Sequence, residues 1–136
     1  MIKYVIRAKR IPNSEEEIVR YHAQMAPVTP VSLVQIVKRI EKRSTVASAD
    51  VKAVLDALQY EVIDALQNGN SVRLGDLGSF RLSIKSEGFD TSVEAKKAGA
   101  SAIKNVKIQF TPSVAMKEAL SASTAEFGLQ ADVKND

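Results

Sequence analysis

Four cations, Arg73, Arg81, Lys85 and Lys107, lie in short segments whose residues alternate between apolar and polar. In "SVRL", "SFRLSIK" and "VKIQF" the period of two places Val72, Leu74, Phe80, Leu82, Ile84, Val106, Ile108 and Phe110 on one side. The opposite side then carries the four cations together with Ser71, Ser83 and Gln109, and no carboxylate. Such an array can neutralise successive phosphates of a polyanion and release their counterions, while hydroxyl and amide groups add neutral hydrogen bonds. Lys96, Lys97 and Lys104, in the segment between two of these strands, would extend the basic surface. The plainer alternative is the wet face of a two-layer domain. The lack of acids among these positions favours binding.

Other chemistry is scarce. The chain has no Cys and one His, so disulfides, thiolate metal sites and Cys–His pairs are excluded. A serine triad would have to use His22, which sits in the strand-like "YHAQ" and reads as a surface or packing residue. Asp56, Glu61 and Asp64 read as the solvated side of a helix, and Glu15–Glu17 as a turn. The glycines of "GDLGSFRL" (Gly75 to Leu82) do not form a phosphate loop, because no Lys-Ser/Thr follows and the next residues alternate as a strand. They read as a hairpin connection, with Phe80 anchoring it in the core. No catalytic set, metal site or cofactor site is expected.

Charge is segregated along the chain. Residues 31–47 carry 4 basic and 1 acidic side chains and residues 81–110 carry 6 and 3, whereas residues 48–70 carry 1 and 4. With a net charge of +3, this distribution matters more than the total and favours a polyanionic partner. A length of 136 residues allows one ordinary domain, and an aromatic content of 5% implies a core of Val, Ile, Leu and Ala. No window approaches a membrane span and "MIKYVIRAKR" lacks the apolar run of a signal peptide, so a cytoplasmic protein is expected.

The elements that must position the cations follow from the same patterning. "IKYVIRA" and "IVRYHAQ" read as two strands joined through "PNSEEE", and "MAPVTP" ends them. Thr29 followed by Pro30 predicts a helix start, and Leu33, Ile36, Val37 and Ile40 its apolar stripe to about Arg43. Ser48 opens a second helix with Val51, Val54, Leu55, Leu58, Val62 and Leu66 on one face, closed by Gly69. Ala53, Ala57, Ile63 and Ala65 widen that face beyond what one neighbour needs, as in a helix shared with a partner subunit. Residues 86–102 lack periodicity and read as a flexible excursion with a turn of helix around "SVEAKKA". Thr111 and Pro112 repeat the helix-start pattern for a short helix to about Leu120, and a loose tail follows.

This order of elements resembles the bacterial histone-like HU and integration host factor family over about Val31 to Ala122. The most specific part is "NGNSVRLGDLGSFRL", where Gly78, Ser79 and Phe80 fall on the family's Gly-x-Phe after a Gly-rich hairpin. "KRSTVASADVKAVLDAL", "VKIQFTPS" and "AMKEAL" are similar to its helix junction, returning strand and last helix. The first 30 residues and the tail resemble a longer HU-like branch with an N-terminal extension.

The resemblance implies an α+β fold: two N-terminal helices, a three-stranded antiparallel sheet with an extended arm, a short C-terminal helix and an intertwined homodimer, preceded here by extra strands. The implied division is an N-terminal β extension over 1–30, an HU-like DNA-binding domain over 31–122, and a flexible tail over 123–136. It implies binding of double-stranded DNA, largely independent of sequence, on the dimer's saddle, and a place in the nucleoid. It implies no membrane and no small-molecule substrate. The family's arm tip carries Arg-Asn-Pro, and nothing between Lys85 and Lys104 matches it, so proline wedging between base steps is not carried over. The rival expectation is an HU-fold scaffold that has lost DNA binding and uses its N-terminal strands as an edge for protein partners. A small enzyme is the most remote reading, since the nucleophile–base sets are missing.

Overall fold

The widest apolar helical stripe of the sequence becomes the longest helix. In the computed structural model, which describes residues 1–12 and 18–131, the elements begin with strands β1 (Ile2–Arg10) and β2 (Val19–Met25). Helices α1 (Leu33–Arg43) and α2 (Ser48–Gln67) follow, then strands β3 (Val72–Arg73) and β4 (Gly78–Ser86). Helix α3 (Ser92–Ala98) runs into a 3-10 turn over Gly99–Ala102, and β5 (Ile103–Pro112), α4 (Val114–Ala119) and β6 (Phe127–Leu129) complete the described chain. The turn expected at "PNSEEE", with Glu15–Glu17, and the last residues of the expected tail lie outside the described residues.

The chain divides into two units, one of Met1–Ser32 with Ala119–Asp136 and one of Leu33–Glu118. In the first, β1 pairs antiparallel with β2 from Tyr4↔Met25 to Arg10↔Val19, as the alternation of both segments requires. The tail expected to be loose contributes a strand instead, because Phe127–Leu129 pair in parallel with Ile2–Tyr4. Amide bonds from Ile2 to the Glu126 carbonyl at 2.7 Å and from Gln130 to the Tyr4 carbonyl at 2.9 Å extend that ladder at both ends. The sheet order is β2-β1-β6.

The second unit packs α1 and α2 together and sets α2 beside the antiparallel sheet β3-β4-β5. Val37, Val51, Leu66 and Ala102 are its buried apolar residues. The Ser48 hydroxyl, at the start of α2, donates to the Glu41 carboxylate of α1 and so ties the two helices. At the other end of α2, Gly69 takes φ 81° and donates to the Leu66 carbonyl at 3.0 Å, while Asn70 donates to the Ala65 carbonyl at 3.0 Å. These are the paired closing bonds that a left-handed residue permits after a helix, as Gly69 predicts.

Both Thr-Pro starts are displaced. α1 begins at Leu33 and not at Pro30, immediately after Ser32, and α4 begins at Val114 after Ser113. Prolines at 27 and 30 push the residues before them out of helical geometry, so the chain stays extended until a serine stands at the capping position. Thr111 and Pro112 belong to β5. "SVRL" keeps only Val72 and Arg73 as strand.

Candidate nucleic-acid interface

The hairpin that carries Arg73 and Arg81 is shaped by Gly75, Leu77 and Gly78. Gly75 takes φ 53°, and the Leu77 amide donates to the Leu74 carbonyl at 3.0 Å. The Leu74 amide then donates to the Gly78 carbonyl at 2.8 Å, which turns β3 back into β4. Gly78 has φ 149° and is buried; a Cβ there would collide with the Thr111 carbonyl of β5 and lie 2.9 Å from the Phe110 ring. Only glycine lets the two strands approach at this point. Ser113 locks the same turn from the other side. Its amide donates to the Leu77 carbonyl at 3.2 Å and its hydroxyl donates to the Asp76 carbonyl. That hydroxyl also accepts from the Met116 amide at 3.0 Å, capping α4.

Register decides which side chains share a face, since residues directly opposite in an antiparallel pair project the same way. Phe80 opposes Phe110, Leu82 opposes Ile108 and Ile84 opposes Val106, so the apolar set lies on one side. Phe80 is half-buried and its ring centroid is 5.0 Å from that of Phe110. With Leu58, Val62 and Leu74 it lines a cavity of about 260 Å³ between α2 and the sheet.

The other side pairs Arg81 with Gln109, Ser83 with Lys107, Lys85 with Asn105 and Arg73 with Ser79. Arg73, Arg81, Lys85 and Lys107 are exposed and form no ion pair among the described residues. Ser79 in turn opposes Thr111. Next to them a cleft of about 490 Å³ brings Arg73 together with Ser79, Thr111, Ser113 and Lys117. Ser79 was legible from the parity of "SFRLSIK", but Asn105 precedes the "VKIQF" run and Thr111 reads as a helix start, so those two were not. Nor was Lys117, because only the fold brings α4 to this edge. Ser71 precedes β3 and is exposed.

The remaining lysines differ in kind. Lys96 and Lys97 sit in the last turn of α3, a helix capped by Thr91, whose hydroxyl accepts from the Glu94 amide at 3.2 Å. Lys104 falls where the β4–β5 register shifts, and its Nζ lies 3.5 Å from the Glu87 carboxylate. An ion pair with both partners more than half exposed adds little stability. It does offset the charge that Lys104 offers a polyanion.

The extended arm is not formed among the described residues. Pairing of β4 with β5 ends at Ser86↔Ile103, and the Glu87 amide closes on the Ala102 carbonyl at 2.9 Å. The intervening residues form α3 and the 3-10 turn, since "SVEAKKA" consists largely of helix formers and no alternation supports a ribbon.

Residues 1–127 match the family described as HU-HIG, an HU domain fused to a wHTH, Ig or glycine-rich motif. The chain belongs to the HU-HIG family. No curated protein matches it significantly. A solved mutant of HU from Thermotoga maritima is similar over 67% of this chain and 100% of its own, with 21% identity and a TM-score of 0.50. A putative bacterial DNA binding protein from Bacteroides vulgatus ATCC 8482 is similar over 98% of this chain, with 15% identity and a TM-score of 0.67. The HU-HIG chain spans 50% of that protein's length. At these identities the likeness is one of fold. The mixed α+β chain therefore has HU-like neighbours, and the likeness to the Bacteroides protein spans nearly the whole of this chain. No helix among the described residues is long and apolar enough to cross a membrane.

Proposed function

We propose that this HU-HIG protein binds duplex DNA as a homodimer, through phosphate contacts on the polar face of the β3-β4-β5 sheet. The observation that carries this reading is the register. It gathers Arg73, Arg81, Lys85 and Lys107 on one face, exposed and unpaired, with Ser83 and Gln109 directly opposite two of them. Contacts of this kind neutralise backbone charge and carry no base information, so binding is largely independent of sequence and a nucleoid role follows. Lys96, Lys97, Lys104 and Ser71 would act at the margin.

A second copy is supported by the apolar surface that the Leu33–Glu118 unit leaves open. Val34, Val54, Ile63, Ile84 and Ile108 are 61%, 66%, 58%, 63% and 70% exposed. Burying the exposed part of such side chains contributes up to about 1.5–3 kcal/mol each, which works against the cost of association and favours a second copy. Apolar grooves of about 340 Å³ along α1 and α2 and about 280 Å³ around Val46 and Val54 face the same need.

The test is titration of two unrelated duplexes at several salt concentrations. Similar affinities that fall steeply with salt are expected. A folded dimer that binds neither duplex at low salt would overturn the reading in favour of a scaffold. The helix that closes the hairpin where an arm is expected favours that rival, as does the modest net charge of +3.

A further inference from the structure

The N-terminal sheet has a second segregation of charge. Pairing of β1 with β2 and β6 puts Ile2, Tyr4, Ile6, Tyr21, Met25 and Phe127 on one face, with Arg10 at its far end. The opposite face carries Lys3, Arg7, Lys9, Arg20 and His22, with Val5 and Gln24 between them. No carboxylate stands on it among the described residues, and none of its four cations makes an ion pair there. Gly128 lies under the Met1 and Lys3 side chains, where a Cβ would collide with the Met1 Sδ and stand 3.4 Å from the Lys3 Nζ.

Two cross-strand pairs stand out. Lys9 is directly opposite Arg20, and Arg7 is directly opposite His22. Like charges opposite one another weaken an antiparallel pair, so the fold gains nothing from Lys9 and Arg20 together. A phosphate held between them would turn that repulsion into a shared attraction. Same-face residues recur about every 6.8 Å along a strand, close to twice the 3.4 Å axial spacing of phosphates along one DNA strand. The large apolar residues of this face are Met1, at the end of the sheet, and Val5, and it has no aromatic residue and no contiguous apolar patch to enter a lipid interface. The apolar face is the one that needs covering by protein, which leaves the basic face to a soluble polyanion.

We propose that the β1–β2 face formed by Lys3, Arg7, Lys9 and Arg20 is a second duplex-DNA contact surface, separate from the β3-β4-β5 sheet. It does not depend on the first surface being correct.

The experiment measures duplex affinity against salt for the full chain and for K9Q/R20Q, K3Q/R7Q/K9Q/R20Q, R73A/R81A/K107A and the combined set. Because K9Q/R20Q removes a repulsive pair, its melting temperature should equal or exceed the parent's. Its log–log salt slope should nonetheless be shallower by about 1.8 for each engaged subunit, or about 12-fold in the affinity lost between 0.05 and 0.2 M salt. The fourfold variant should lose about twice that slope, also in the R73A/R81A/K107A background. Unchanged slopes for both Gln variants overturn the proposal, including the case in which Glu15, Glu16 and Glu17 of the connecting segment neutralise the face. A fourfold variant that keeps DNA binding but loses binding to polyglutamate or to anionic vesicles also overturns it, in favour of an acidic protein or a lipid surface. If only the R73A/R81A/K107A variant behaves as the parent, the first surface fails and the second stands.

Discussion

Gly78 and Glu87 show how single side chains set the two properties that matter here, strand approach and local charge. At Gly78 a methyl group would strike the Thr111 carbonyl and force a left-handed φ on a residue with a Cβ. Gly78→Ala is therefore expected to cost about 2–4 kcal/mol, read as a shift in the urea midpoint with little change in slope. At Glu87 the carboxylate holds Lys104 at 3.5 Å. Glu87→Gln should leave stability almost unchanged, because an exposed pair contributes little, and should tighten DNA binding up to a few-fold by returning one cation to the surface. Unchanged binding by that variant would show that Lys104 has no part in the interface. Neither residue announces its role by type alone. Gly78 was legible because it precedes an alternating run, whereas the Glu87–Lys104 pair depends on how residues 88–102 close the hairpin.

Among the elements, α4 and the Gly75–Gly78 turn act together through Ser113. Ser113→Ala removes the cap on Met116 and the bond to the Asp76 carbonyl, and a loss of about 1–3 kcal/mol is expected in equilibrium unfolding. A change below a few tenths would mean that the turn is held by Gly75 and Gly78 alone. Patterning made some elements plain and hid others for physical reasons. The period-two runs around Phe80, Ile108 and Tyr4, and the long stripe from Val51 to Leu66, are strong because each must bury one side. Both Thr-Pro helix starts fall too early because proline biases its preceding residue away from helical geometry, so α1 and α4 begin only after Ser32 and Ser113. β6 was missed because "FGL" is too short to show alternation and gains its partner only when it meets β1. The arm expected from the resemblance gave way to α3, whose local helix formers and Thr91 cap decided the outcome.

For the whole molecule the proposals are a dimer with two basic surfaces. The apolar face of the β3-β4-β5 sheet beyond Phe80 is the place to break the dimer, since Ile108 and Ile84 are largely exposed in one copy. Light scattering should give twice the 14.8 kDa chain mass for the parent and once that mass for Ile108→Glu. A monomeric parent would contradict the intertwined arrangement. Cationic residues placed by strand register, and not the total charge of +3, are what should govern affinity. The most direct measurement is the salt dependence of duplex binding for the parent against R73A/R81A/K107A. A slope shallower by about 2.7 for each engaged subunit, with the dimer mass retained, is expected. An identical slope and affinity for the two proteins would contradict DNA binding on the β3-β4-β5 face.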